Sequence, residues 1–87
     1  MNKYERIPER VIDLHGHTVR KSEALLEEVL LTSEVSHLRI IVGKGTHSEK
    51  GAVLREFVKG FLSERNIRFS QSKLRDGGEG ALEVFLS

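Results

Sequence analysis

Apolar residues recur with two different periods along this chain of 87 residues. A period of two predicts short strands at 11–15, 67–71 and 81–86, and a nearly continuous apolar run predicts another strand at 38–42. A period near 3.6 predicts two amphipathic helices, one with its apolar stripe from Ser22 to Leu30 and one with its stripe from Leu54 to Leu62. The pattern therefore predicts six elements in the order β-α-β-α-β-β.

Polar residues and glycines mark the ends of these elements. Thr18 is suited to cap the first helix, which should end near Ser33, and Ser48 is suited to cap the second helix. Asn66 fits the exit from the second helix. The glycine-rich segment 76–80 predicts a flexible hairpin loop before the last strand.

This element order predicts an α/β two-layer sandwich. Two right-handed βαβ crossovers make the first three strands parallel neighbours or near neighbours and put both helices on one face of the sheet. The last strand returns antiparallel, which completes a four-stranded mixed sheet whose second face has no helix. Ile12 and Leu14 should face the helices, so Val11, Asp13 and His15 should face the other way.

Composition narrows the class of protein. The length allows one domain, with an N-terminal extension at 1–10 and the domain at 11–87. The net charge of +1 gives no general attraction to nucleic acid, so any basic surface must be local. Cysteine is absent, and no apolar run is long enough for a signal peptide or a membrane span, so we expect a cytoplasmic protein.

Candidate chemistry follows the first two strands. The segments 13–17 and 43–48 should meet, because the C-terminal ends of parallel strands lie along one edge of a sheet. Asp13, His15 and His47 supply groups for proton transfer, and free N–H groups of the loop would suit a phosphate. Further side chains should reach the same edge, and these are His17, Arg20, Lys21, Lys44, Lys73 and Arg75.

Several alternatives stay open at this point. The glycine loop fits neither nucleotide-binding pattern, and Gly43 and Gly45 could simply supply positive φ angles in a turn. The histidines and Asp13 form an acceptable ligand set for a divalent metal, although no spacing is diagnostic. His37 is interpreted as solvated surface. Since Phe57 and Phe61 fall on the core stripe of the second helix, backbone contacts to nucleic acid are favoured over base stacking.

An ordered set of four motifs then carries a family resemblance. Ile-Asp-Leu-His-Gly occupies 12–16, Ile-Val-Gly-Lys-Gly-Thr-His-Ser occupies 41–48, Leu-Arg occupies 54–55 and Gly-Gly-Glu-Gly-Ala occupies 77–81. Together they resemble the Smr domain, the small MutS-related family. The resemblance implies a fold similar to the C-terminal domain of translation initiation factor three. It also implies nicking or cleavage of DNA or RNA, with a setting in DNA repair or recombination.

The resemblance also assigns roles. The family's Leu-Asp-x-His motif falls on Ile12, Asp13 and His15, and its second motif falls on Val42, Gly43 and Gly45, with valine where the family has threonine or histidine. The leading hypothesis is a structure-selective phosphodiester hydrolase in which four residues are catalytic: Asp13, His15, Lys44 and His47. The nucleic-acid-binding residues would be His17, Arg20, Lys21, Gly43, Gly45, Thr46, Ser48, Arg55, Lys73 and Arg75.

Two other classes of function compete with hydrolysis. A non-catalytic module that holds branched or structured DNA or RNA is favoured by Val42, which cannot donate a proton. A protein-interaction domain would need a larger apolar patch on the open sheet face than Val11 and Phe85 suggest. In every nucleic-acid reading the partner is DNA, RNA or both. The participation of Mg²⁺ or Mn²⁺ is undecided, and the sequence is compatible with a monomer.

Overall fold

The predicted element order is confirmed. The computed structural model describes residues 7–32, 34–43, 49–72 and 80–86. Its elements begin and end within one or two residues of the predicted positions where both can be compared. They are β1 (Arg10–Asp13), α1 (Val19–Thr32), β2 (His37–Ile41), α2 (Glu49–Glu64), β3 (Arg68–Gln71) and β4 (Ala81–Phe85).

The sheet is mixed, as predicted, and its strand order is β1-β2-β4-β3. β1 and β2 pair in parallel, whereas β4 is antiparallel to both β2 and β3. β3 therefore runs in the same direction as β1 and β2 but is separated from them by β4. The α/β two-layer class is confirmed.

The core lies on one side of this sheet. Alternate residues of β2 and β4, such as Leu38, Ile40 and Leu82, are buried. They form one cluster with the helix residues Leu26 and Val58. Both helices therefore cover the same face of the sheet, because only the strand residues of that face join their cluster. Full burial of each of these side chains contributes about 2 kcal/mol to folding.

The helix ends follow the sequence signals. Thr18 Oγ1 accepts a hydrogen bond from the backbone N–H of Lys21 at 3.1 Å, as an N-cap should. After α2, the N–H groups of Asn66 and Ile67 bond to the carbonyls of Ser63 and Leu62 at 3.1 and 3.0 Å. With Asn66 at a φ of 56°, this is a Schellman ending. Within the described residues, no helix is long and apolar enough to cross a membrane.

The interpretation of His37 as solvated surface is wrong. His37 is only 8% exposed, although it lies on the sheet face opposite the helices. Its Nε2 is 2.7 Å from Glu83 Oε1, and its ring stacks on Phe85 with the ring centroids 5.0 Å apart. Glu83 is 46 residues away in sequence, so only the antiparallel pairing of β2 with β4 creates this environment.

Glu83 is the centre of a polar network on this face. Its Oε2 accepts hydrogen bonds from Arg39 Nε at 2.6 Å and from the hydroxyl of Ser72. Burial alone would raise the pKa of Glu83, but the hydrogen bonds from Arg39, Ser72 and His37 outweigh it and lower the pKa below its ordinary value. The carboxylate is therefore held charged in a nearly buried position.

Candidate active site

A tight turn follows β1 and fixes the position of His15. The N–H of Leu14 bonds to the Ile41 carbonyl at 2.7 Å, which ties the end of β1 to the end of β2. The N–H of His17 then bonds back to the Leu14 carbonyl at 3.0 Å, and Gly16 has a φ of 78°. This is the glycine position of a type II turn, where a side chain would strain the backbone. The turn directs His15 outward, with its side chain 68% exposed.

Asp13 and His15 form a local hydrogen-bonded pair. Asp13 Oδ1 accepts the backbone N–H of His15 at 3.0 Å and lies 2.5 Å from His15 Nδ1. The bond from the ring, and then the bond from the backbone N–H, lower the pKa of Asp13. A carboxylate can only accept, so Nδ1 carries the hydrogen. When the ring is neutral, this tautomer leaves Nε2 unprotonated, and Nε2 can then take up a proton as a general base does.

The end of β2 lies beside this pair, as predicted from the parallel topology. A Cβ placed on Gly43 would be 3.6 Å from the Cβ of His15, which is ordinary contact distance. Gly43 has a φ of 85°, so the demand for glycine here comes from the backbone conformation and not from lack of space. The described part of the second predicted segment therefore does meet the first.

Gly80, which directly precedes β4, also contacts this edge of the sheet. Its carbonyl accepts the N–H groups of both Val42 and Gly43, at 2.8 and 3.1 Å. The sequence predicts a hairpin loop at Gly80 and includes this residue in a family motif, but nothing local indicates a bond to residues nearly forty positions earlier. Val42 itself is buried in the core at 1% exposure, so its side chain does not reach the surface of the site.

The beginning of α1 completes the described surroundings. An open depression of about 390 Å³ is lined by His15, Gly16, His17, Thr18 and Lys21. The first turn of α1 carries no acidic residue. No negative charge in that turn therefore offsets the positive end of the helix dipole or the Lys21 ammonium, and both favour an anion here. A phosphate group suits such a place. Thr18 was predicted only as a cap, and its position after the turn adds it to this surface.

The other predicted site residues fall into two groups. Arg20 is exposed in the first turn of α1, and Arg55 lies on α2 with its Nε 3.9 Å from Glu56 Oε2, an ion pair within that helix. Neither of them lines the depression. The remaining predicted residues lie outside the described residues, and they are Lys44, Gly45, Thr46, His47, Ser48, Lys73 and Arg75.

A divalent metal held by Asp13 and the histidines is an alternative that the sequence leaves open. In the ranges 7–32, 34–43, 49–72 and 80–86, no three or more acidic or histidine side chains are grouped as metal ligands would be. Asp13 and His15 are instead bonded to each other.

The fold and this edge together define a small α/β domain with an exposed histidine-carboxylate pair at the C-terminal ends of its parallel strands. A family model described as the Smr domain matches residues 12–87. The chain therefore belongs to the Smr domain family, as its motifs predicted.

Solved structures agree with this assignment. The Smr domain of Thermus thermophilus MutS2 superposes with a TM-score of 0.77 at 26% identity, covering 90% of this chain and 98% of that domain. A human small MutS-related domain superposes with a TM-score of 0.67 at 30% identity, covering 87% of this chain and 99% of that one.

A full-length relative is much larger. Human NEDD4-binding protein 2 is 33% identical over 89 residues, a match that covers 92% of this chain. The chain spans about 5% of that protein's length, so the similarity concerns one domain of it.

Proposed function

We propose that this domain is a structure-selective endonuclease that nicks DNA or cleaves structured RNA by phosphodiester hydrolysis. The observation that carries the proposal is the Asp13–His15 pair, in which the carboxylate orients an exposed imidazole at the edge of the sheet. Membership of the Smr family supports nucleic acid as the partner. The basic first turn of α1 supports an anionic substrate at this edge.

The geometry of the Asp13–His15 pair supports the following roles. His15 Nε2 takes a proton from the attacking water as the new P–O bond forms, and the ester P–O bond then breaks with protonation of the leaving oxygen. Asp13 holds the ring in this tautomer and stabilises its protonated form. Lys21 and the N–H groups at the start of α1 bind the phosphate. Lys44 and His47 enter the proposal from the sequence alone, as groups that stabilise negative charge and transfer protons.

The test is cleavage of supercoiled plasmid and of matched DNA and RNA structures. His15→Ala should lower the rate at least about 100-fold, because a general base contributes that much. Asp13→Asn should lower it roughly tenfold or more, since an amide can present its N–H side to the ring and favour the wrong tautomer. Each assay is run with Mg²⁺, with Mn²⁺ and with a chelator.

Glu27→Gln is the matched control for Asp13→Asn. It makes the same acid-to-amide change on the exposed face of α1 and should leave the rate unchanged. The inactive variants, purified identically, control for a contaminating nuclease. If His15→Ala and Asp13→Asn both keep the full rate, the proposed roles are wrong.

A non-catalytic nucleic-acid-binding module is the second candidate. It is favoured by Val42, which is buried and gives the edge no polar side chain at the position where the family motif has threonine or histidine. Binding that weakens with salt, without cleavage under any metal condition, would select this candidate.

A further inference from the structure

A second basic depression lies on the molecule, away from the Asp13–His15 pair. It has a volume of about 590 Å³ and lies where α2 leads into β3 and β4 ends. Its lining residues are Arg65, Asn66, Ile67, Arg68, Phe85 and Leu86. None of these six described residues has a carboxylate, and two of them carry a permanent positive charge.

The register of the sheet separates this depression from the candidate active site. Phe85 pairs with His37 at the start of β2, whereas Asp13 pairs with Ile41 at its end. His37 and Ile41 are four residue steps apart along β2, which is roughly 13 Å. The two places are therefore at opposite ends of the sheet, and one phosphate group cannot occupy both.

Both guanidinium groups lie over aromatic rings. Arg65 Cζ is 3.6 Å from the centroid of Phe61, and Arg68 Cζ is 5.6 Å from the centroid of Phe85. Such contacts hold a planar guanidinium in place without using its hydrogen-bond donors. Among the described residues, Arg65 uses one Nη1 donor on the Phe61 carbonyl at 3.2 Å, and the other four of its five donors make no bond there.

We propose that this Arg65–Arg68 depression is a second nucleic-acid contact, which holds the phosphate backbone of a single-stranded segment. Two preoriented guanidinium groups match phosphate oxygens, and the Phe85 ring, which stacks on His37, lies under Arg68 and helps to hold its guanidinium in place. The proposal rests on the proposed function for its choice of nucleic acid as the anion. It does not depend on catalysis, because neither arginine belongs to the Asp13–His15 edge.

The test measures binding of a labelled single-stranded oligonucleotide by the full chain carrying His15→Ala, so that cleavage cannot interfere. Arg65→Gln with Arg68→Gln should weaken binding at low salt at least roughly tenfold. Each lost phosphate contact should also reduce the slope of log K against log salt by about 0.7. Phe85→Leu keeps an apolar side chain but removes the ring under Arg68, and it should weaken binding by a smaller factor.

Lys59→Gln is the matched control for charge. Lys59 lies on α2 near Glu56, with 3.6 Å between Nζ and Oε2, and its replacement removes one positive charge from outside the depression. It should leave both affinity and salt slope unchanged. Thermal unfolding of each variant checks that the fold is kept, which matters because Arg65 also bonds to the end of α2.

Three results would overturn the proposal. One is unchanged affinity in the double arginine variant, and another is an equal loss in Lys59→Gln. The third is equally tight binding of a glutamate peptide of the same charge, which would assign the surface to acidic protein instead. Failure of the proposed function is a separate result, because it would be seen as no cleavage, or as cleavage that does not depend on His15, in the assay of the unsubstituted chain.

Discussion

Among the described residues, two histidine-carboxylate pairs differ in almost every physical respect. In the first, Asp13 and His15 are two residues apart, and their side chains are 49% and 68% exposed. In the second, His37 and Glu83 come from different strands, and their side chains are 10% and 13% exposed. The pairing distances are similar, at 2.5 and 2.7 Å. Geometry of the pair alone therefore does not distinguish a reactive site from a structural one.

The surroundings make the distinction. Glu83 has Arg39 and Ser72 as additional partners, so its oxygens are occupied and His37 is covered by Phe85. The side chain of His15 is 68% exposed and lines an open depression. We therefore expect the exposed pair to control activity and the nearly buried pair to control stability.

The largest expected effect on stability comes from replacing a carboxylate by its amide, and the same change can be made in each of the two pairs. Glu83→Gln should lower the free energy of unfolding by about 3 kcal/mol, because the nearly buried Arg39 then loses the negative charge of Glu83. Asp13→Asn, the same chemical change at the exposed pair, should cost less than about 1 kcal/mol. Urea unfolding of both variants measures the difference. Equal losses would break the comparison between the pairs.

Lowering the pH should reduce the contribution of both pairs to the free energy of unfolding, but by different amounts. The pKa of Glu83 is lowered from an ordinary value near 4.5, so its contribution to stability is complete above that pH. The contribution is lost as the pH falls through the lower folded-state pKa. The stability difference between wild type and Glu83→Gln should therefore shrink from about pH 7 to about pH 3, as followed by urea unfolding.

The exposed pair provides the control for that titration. The pKa of Asp13 is also lowered, which gives the same sign, but solvent screens the interaction. The difference between wild type and Asp13→Asn should vary much less over the same range. A pH dependence as large as that of Glu83→Gln would contradict the assignment of the stabilising role.

The smallest expected effect concerns a buried polar group outside both pairs. Ser22 is fully buried, and its Oγ has no hydrogen-bond partner among the described residues. Ser22→Ala should raise the free energy of unfolding by about 1 kcal/mol, because an unsatisfied hydroxyl leaves the core. Thermal unfolding measures this gain.

Ser63→Ala makes the same change at an exposed position of α2 and should give only a few tenths of a kcal/mol from helix propensity. A loss of stability in Ser22→Ala, with a normal result for Ser63→Ala, would mean that the Ser22 hydroxyl has a stabilising partner. The buried polar groups of Ser22 and Glu83 would then both have hydrogen-bond partners.

Much of the fold was readable from the sequence because its signals are local. Hydrophobic periods of two and 3.6 depend only on neighbouring residues, and they gave the six elements and the helix-facing side of each strand. Thr18 and Asn66 act within one helical turn, so their capping roles were also readable. The Asp13–His15 pair spans two residues, and for that reason its motif was visible without any tertiary information.

Tertiary structure decided everything that depends on strand order and register. The insertion of β4 between β2 and β3 brings Glu83 to His37, and this turned a histidine expected at the surface into a nearly buried one. The same pairing attaches Gly80 to Gly43, while the parallel contact of β1 with β2 brings Gly43 to His15. These contacts join residues far apart in the chain, and their free energy depends on a register that no short stretch of sequence specifies.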